Sequence, residues 1–80
     1  MKRWPKIGTR VHVEWMDCCG YVNAPLSAAV PLPCWSEGVL VKNTKQYVVL
    51  ASSQYRNEGE DPTGDYIAIP KGTVAKIKRL

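Results

Sequence analysis

Eighty residues with 45% apolar content, three Trp and four Tyr but no Phe supply one modest core, and a chain of this size buries only about 60% of the surface its unfolded form exposes. No apolar run approaches the length of a membrane-spanning helix, and three cysteines, two of them adjacent, make a poor disulfide framework. The net charge of +4 is unevenly spread: Lys2, Arg3, Lys6 and Arg10 crowd the first ten residues, and Lys71, Lys76, Lys78 and Arg79 the last ten.

The chain reads as a single domain, 1–80, that opens on a basic N-terminal arm, 1–7. No apolar segment follows the basic start, which predicts a cytoplasmic protein without a secretory signal. After Gly8, the apolar residues Val11, Val13 and Trp15 alternate with Arg10, His12, Glu14 and Met16, the period of a half-buried strand. Segment 17–34 has no strand pattern, contains Gly20, Pro25, Pro31 and Pro33, and reads as a long apolar loop. Unstructured loops beyond about 12–15 residues are uncommon in compact domains and usually serve a function. Leu26, Ala28, Ala29, Val30 and Leu32 must therefore cover the domain itself, a second subunit or a ligand, and a subunit interface is the leading expectation. A single helical turn is expected over Pro25–Ala29, since proline suits a first helical position.

A second strand is expected over Trp35–Val41, with Gly38 marking a bulge or a close approach. Lys42–Lys45 is a polar turn, and Tyr47–Ala51 a third strand, apolar on both faces and therefore internal. Ser52–Asp65 reads as a loop with a net acidic charge. Tyr66–Ile69 is a fourth strand, halted by Pro70-Lys71-Gly72. The remainder reads as a 3₁₀ turn running into a short fifth strand. Five short strands, a long first loop, a central hairpin and a terminal 3₁₀ turn predict an all-β SH3-like or Sm-like barrel. The elements Val13-x-Trp15-x-Asp17, Trp35-x-x-Gly38, Val48–Ser53 and Ile69–Gly72 resemble small phage and prophage proteins of that barrel type. The resemblance implies a phage-encoded binding protein acting in the host cytoplasm.

Catalytic signatures are missing from the sequence: there is one histidine, His12, and no Ser-His-Asp set, P-loop or dinucleotide fingerprint. A non-enzymatic protein without a cofactor is expected. His12, Cys18, Cys19 and Cys34 have the ligand types of a zinc site but not the usual C-x₂₋₄-C spacing, so they form only a weak metal candidate. The leading functional expectation is an oligomeric protein holding a small anionic nucleotide, with possible sequestration of a host defence signal. Trp35 and Tyr21 would stack on the base, while Ser52, Ser53 and Arg56 would hold phosphate. A barrel that set the first and last strands side by side would also gather the basic ends. That leads to the alternative of a nucleic-acid-binding surface built from Arg3, Trp4, Lys6, Lys71, Lys76, Lys78 and Arg79. A third expectation is a protein–protein adaptor that inhibits a host enzyme through the apolar loop.

Overall fold

A computed structural model describes residues 3–18, 20–54 and 61–80. Five strands form one antiparallel sheet: β1 (Arg10–Asp17), β2 (Leu32–Asn43), β3 (Tyr47–Gln54), β4 (Gly64–Pro70) and β5 (Val74–Arg79). Their order across the sheet is β4-β3-β2-β1-β5. Two 3₁₀ turns, Leu26–Ala28 and Lys71–Thr73, are the only helical elements among the described residues. The fold is therefore all-β, and β1 lies beside β5 as the sequence led one to expect. Closure does not follow: no ladder joins β4 to β5 among the described residues, so the sheet is open. The two edge strands are instead connected in sequence through the second 3₁₀ turn, whose Lys71 N–H donates to the Gln46 carbonyl at 2.8 Å.

Alternation explains the core. Val11 and Val13 from β1, Leu40 from β2, Val48 and Leu50 from β3, and Ile69 from β4 are sealed on one face, with Val74 of β5 almost so. Their neighbours in sequence point to the other face, as period-two geometry requires. Trp15, Ile67, Ile77 and Trp4 of the N-terminal arm pack around this cluster half-buried. The arm is held by backbone: Gly8 N–H donates to Leu40 O at 2.7 Å, and Leu40 N–H donates to Thr9 O at 2.9 Å. The turn before Thr9 places Gly8 at φ +97°, a conformation that L side chains rarely adopt.

β2 is the longest strand and serves two partners. Its first half, Leu32 to Val39, pairs with β1, and its second half, Val39 to Asn43, pairs with β3. The handover falls at Gly38, where an added Cβ would stand 2.7 Å from the Ala51 carbonyl oxygen and 3.2 Å from its carbon. Gly38 is thus a point of close backbone approach, which is why β2 can leave β3 there. Bulges at Val41 and Ser52 add bending on either side of the same junction.

Several boundaries differ from the sequence reading, β2 also running on to Asn43 beyond the expected Val41. β2 begins at Leu32 and runs through Pro33, which removes three residues from the expected loop 17–34. In that half β2 has a neighbour on one side only, and such a strand tolerates a proline. β3 continues through Ser52, Ser53 and Gln54, and β4 begins at Gly64, so the second loop is also shorter than expected. The terminal 3₁₀ turn occupies Lys71–Thr73, ahead of Val74.

The first half of β2 and its partner β1 form a ribbon that extends beyond the core. Every described residue from Gly20 to Pro33 is exposed, including Val22 at 88% and Leu26 at 91%. The loop therefore does not pack on its own sheet. The radius of gyration is 15.0 Å and the long axis 51 Å, against about 12 Å expected for a compact chain of this length.

Candidate functional site

The face of the ribbon opposite the core carries His12 and Glu14 from β1 with Glu37 and Trp35 from β2. Register sets Lys78 opposite His12 and Lys76 opposite Glu14. Two cross-sheet rows result, Lys78–His12–Glu37 and Lys76–Glu14–Trp35. The His12 and Trp35 rings stack with centroids 5.5 Å apart and planes 20° from parallel. His12 Nδ1–H donates to Glu37 Oε2 at 2.7 Å, because a carboxylate can only accept. Its Nε2 stands 4.0 Å from Glu14 Oε2. Trp35 remains 66% exposed beside this pair and is an open aromatic platform. Trp15 is on the other face, as its alternation with Val11 and Val13 predicts, and its Nε1–H donates to Ser36 Oγ at 3.1 Å.

The other residues expected to join Trp35 stand apart from it. Tyr21 lies in the loop, where its hydroxyl donates to the Val30 carbonyl at 2.7 Å and closes the loop on itself. Beside it a shallow hollow of about 220 Å³ is lined by Cys18, Ala29, Val30 and Pro31. Ser52 and Ser53 follow Ala51, whose partner on β2 is Val39, four residues beyond Trp35. Ser53 Oγ donates to Asp65 Oδ2 at 2.9 Å, and Ser52 Oγ lies 3.4 Å from the Asp65 carbonyl oxygen. A carboxylate next to these hydroxyls opposes a phosphate at the same position. Arg56 lies outside the described residues.

The zinc grouping is not assembled. Cys34 pairs with Trp15 on the core side of the ribbon, whereas His12 occupies the opposite face. Cys34 Sγ stands 3.6 Å from the Leu32 carbonyl, Cys18 is exposed, and Cys19 lies outside the described residues. Among the described residues no three His, Cys, Asp or Glu side chains are grouped so that they could hold a metal ion.

The basic ends do converge. Arg3, Trp4 and Pro5 of the N-terminal arm, with Ile77 and Arg79 of β5, line a hollow of about 180 Å³. Lys71 Nζ stands 6.0 Å from the centre of the Trp4 ring, at the outer limit of a cation–π contact. Among the described residues no carboxylate is within ion-pair distance of Arg3, Lys71 or Arg79. Lys76 and Lys78 stand on the same strand but on its other face, opposite Glu14 and His12. Lys6 is exposed in the arm, and its carbonyl accepts from Thr9 N–H. The amine of exposed Lys42 is raised above the usual lysine value, chiefly by its side-chain hydrogen bond to Tyr47; its Nζ lies 5.3 Å over that ring.

On the outer face of β3 and β4, Gln46, Tyr47, Ala68 and Pro70 line an open, shallow hollow of about 370 Å³ that is almost wholly apolar. Sequence reasoning missed it, because Tyr47 and Ala68 become neighbours only through the β3–β4 register. No described helix is long and apolar enough to cross a membrane. No protein-family model, curated protein or solved structure matches the chain.

Proposed function

We propose that this protein is a non-catalytic binder of nucleotide-type anions, with the N-terminal arm and β5 as its binding surface. The observation that carries this reading is the convergence of Arg3, Lys71 and Arg79 on the Trp4 ring, with no described carboxylate to neutralise them. Arginine forks and a lysine supply charge-assisted bonds to phosphate, and Trp4, Pro5 and Ile77 supply an apolar wall for a base. A stacked base contributes about 1–3 kcal/mol. The hollow is smaller than the roughly 300–1,000 Å³ of sites that enclose a whole small molecule. That favours one nucleotide unit held at the surface, and hence a single-stranded nucleic acid whose phosphates meet Arg3, Lys71 and Arg79.

The strand order and the 3₁₀ turn between β4 and β5 fit a small barrel of the SH3-like or Sm-like kind, a scaffold suited to such a surface. Nothing in the site calls for chemistry: the one histidine is engaged by Glu37, far in register from the described thiols.

A free nucleotide stacked on Trp35 is the second reading, favoured by the exposed Trp35 ring and its stacking on His12. A protein that held such a molecule without turning it over would sequester it, which is how a phage product could silence a host signal.

The test is a titration of single-stranded oligonucleotides and of linear and cyclic nucleotides against the protein and two variants. Trp4→Ala with Arg79→Ala should abolish oligonucleotide binding, while Trp35→Ala leaves it intact. The slope of log K against log salt should be about −2 for three phosphate contacts. Loss of binding only in Trp35→Ala, together with a preference for free nucleotides, would move the site to the ribbon. An absence of binding to either class would refute both readings.

A further inference from the structure

Two bulges shape the outer face where β2, β3 and β4 meet. Side chains alternate along a regular strand. Val41 and Lys42, adjacent in sequence, therefore belong on opposite faces, and so do Val49 and Gln54, an odd number of positions apart. The ladder shifts between Leu40 and Lys42, and again between Ala51 and Ser53. Each shift inserts one residue and re-aims the side chains that follow. As a result Val41, Lys42, Val49 and Gln54 all line one open hollow of about 360 Å³, with Asp61, Pro62 and Tyr66 at its β4 end.

Tyr66 is fixed there at two points. Its hydroxyl donates to the Pro62 carbonyl at 2.6 Å and accepts from Gln54 Nε2 at 3.2 Å. These bonds tie β3 to the segment that leads into β4 and hold the Tyr66 and Pro62 rings in place as a wall. Val41 and Val49, both half-buried, add aliphatic surface. Gln54 commits an amide N–H to Tyr66, which leaves its Oε1 without a protein donor among the described residues.

Lys42 and Asp61 supply opposite full charges. The Lys42 amine is held above the usual lysine value chiefly by its hydrogen bond to Tyr47, with a smaller contribution from Asp61. The carboxylate thus acts on the amine across the hollow, yet the two do not close to ion-pair distance. An open pair of this kind over an apolar floor is complementary to a molecule that carries both charges itself. An anion alone is repelled by Asp61, and a cation alone by Lys42. An α-amino acid satisfies both. Its carboxylate meets Lys42, its ammonium meets Asp61 and Gln54 Oε1, and an apolar side chain covers Val41, Val49 and Pro62. A largely apolar lining with a few placed polar groups, in roughly 300–1,000 Å³, is the usual make-up of a small-molecule site.

We propose that the hollow between Lys42 and Asp61 binds a free α-amino acid with an apolar side chain. This site does not rest on the nucleotide reading, because the Trp4 hollow shares none of its residues.

The test is a titration of the isotope-labelled full chain with leucine and with phenylalanine, followed by amide chemical shifts. Exposed ion pairs are individually weak, so the expected dissociation constant is on the order of 1 mM, and ligand is carried to about 20 mM. Amides around Lys42, Gln54 and Tyr66 should shift and saturate. N-acetyl-leucine lacks the ammonium and leucinamide lacks the carboxylate, and each should bind about tenfold more weakly. Lys42→Met and Asp61→Asn change exposed side chains, so the fold is retained, which unaltered shifts of the core strands verify. Each should weaken leucine by a similar factor, while Trp4→Ala with Arg79→Ala leaves it unchanged. No saturable shift with either amino acid would overturn the proposal, as would equal affinities for leucine and its two single-charge analogues. Saturation of the same amides by guanosine and not by leucine would also overturn it and assign the hollow to a nucleobase.

Discussion

Gly38→Ala probes the junction on which both the ribbon and the core sheet depend. The added methyl would lie 2.7 Å from the Ala51 carbonyl oxygen, inside the 3.0 Å that real Cβ atoms essentially never breach, and a tight 3.2 Å from the carbonyl carbon. Both neighbours belong to the backbone of an internal strand, so no side chain can swing aside. Either β2 or β3 must shift, and the adjacent Val39–Ala51 pair of the ladder shifts with it. Overpacking of this kind costs about 1–3 kcal/mol, against about 0.5–1 kcal/mol returned because alanine loses less backbone freedom than glycine. The net loss is up to about 2.5 kcal/mol, a fall in Tm of up to about 20 °C for a domain of this size, and relative to a control that gains the same backbone term it is the full cost of about 1–3 kcal/mol. Urea denaturation followed by tryptophan fluorescence measures it. Gly72→Ala is the control, since nothing lies within 4 Å of the Cβ it would add. A Gly38→Ala protein as stable as the control would show that β2 does not pass against β3 at this point, and the account of the ribbon's departure would fail.

Leu50→Ala empties the centre of a small core in which Leu50 is only 1% exposed. A loss of about 2–5 kcal/mol is expected, a large share of the roughly 4–12 kcal/mol available to a chain of eighty residues, and a calorimetric transition lowered by only a degree or two would contradict the assigned core. Ser53→Ala removes a hydroxyl already committed to Asp65, so nucleotide and oligonucleotide affinities should be unchanged by isothermal titration; a marked weakening would restore Ser53 as a phosphate ligand. Lowering salt should strengthen oligonucleotide binding, and an affinity by fluorescence titration that did not change with salt would contradict the phosphate contacts.

The strands of the core were written into the alternation of the chain. Val11, Val13 and Trp15 on one side and His12, Glu14 and Met16 on the other are a local pattern that needs no knowledge of partners. Gly38 and the Pro70-Lys71-Gly72 stop were equally legible, because each reports a backbone demand carried by a single residue type. Strand ends were not. Leu32 and Pro33 join β2 only because β1 presents Asp17 and Met16 opposite them, and a proline there gives no sign of its partner.

The candidate site divides along the same line. That the ends were basic, and that Trp4 lay among the cations, was plain in the sequence; that Arg3 and Arg79 share one hollow follows from β1 pairing with β5 and from the arm's bonds to Leu40. Trp35 and Tyr21 were expected together from their chemistry, but one lies on a strand face and the other is tied to Val30 in the loop. The recess on β3 and β4 left no trace in the sequence at all, because Tyr47 and Ala68 are brought together by register rather than by proximity in the chain. Local periodicity determines which side of a strand a residue occupies. Only the long-range pairing of strands decides what stands beside it, since that pairing draws its free energy from contacts between segments that the sequence keeps far apart.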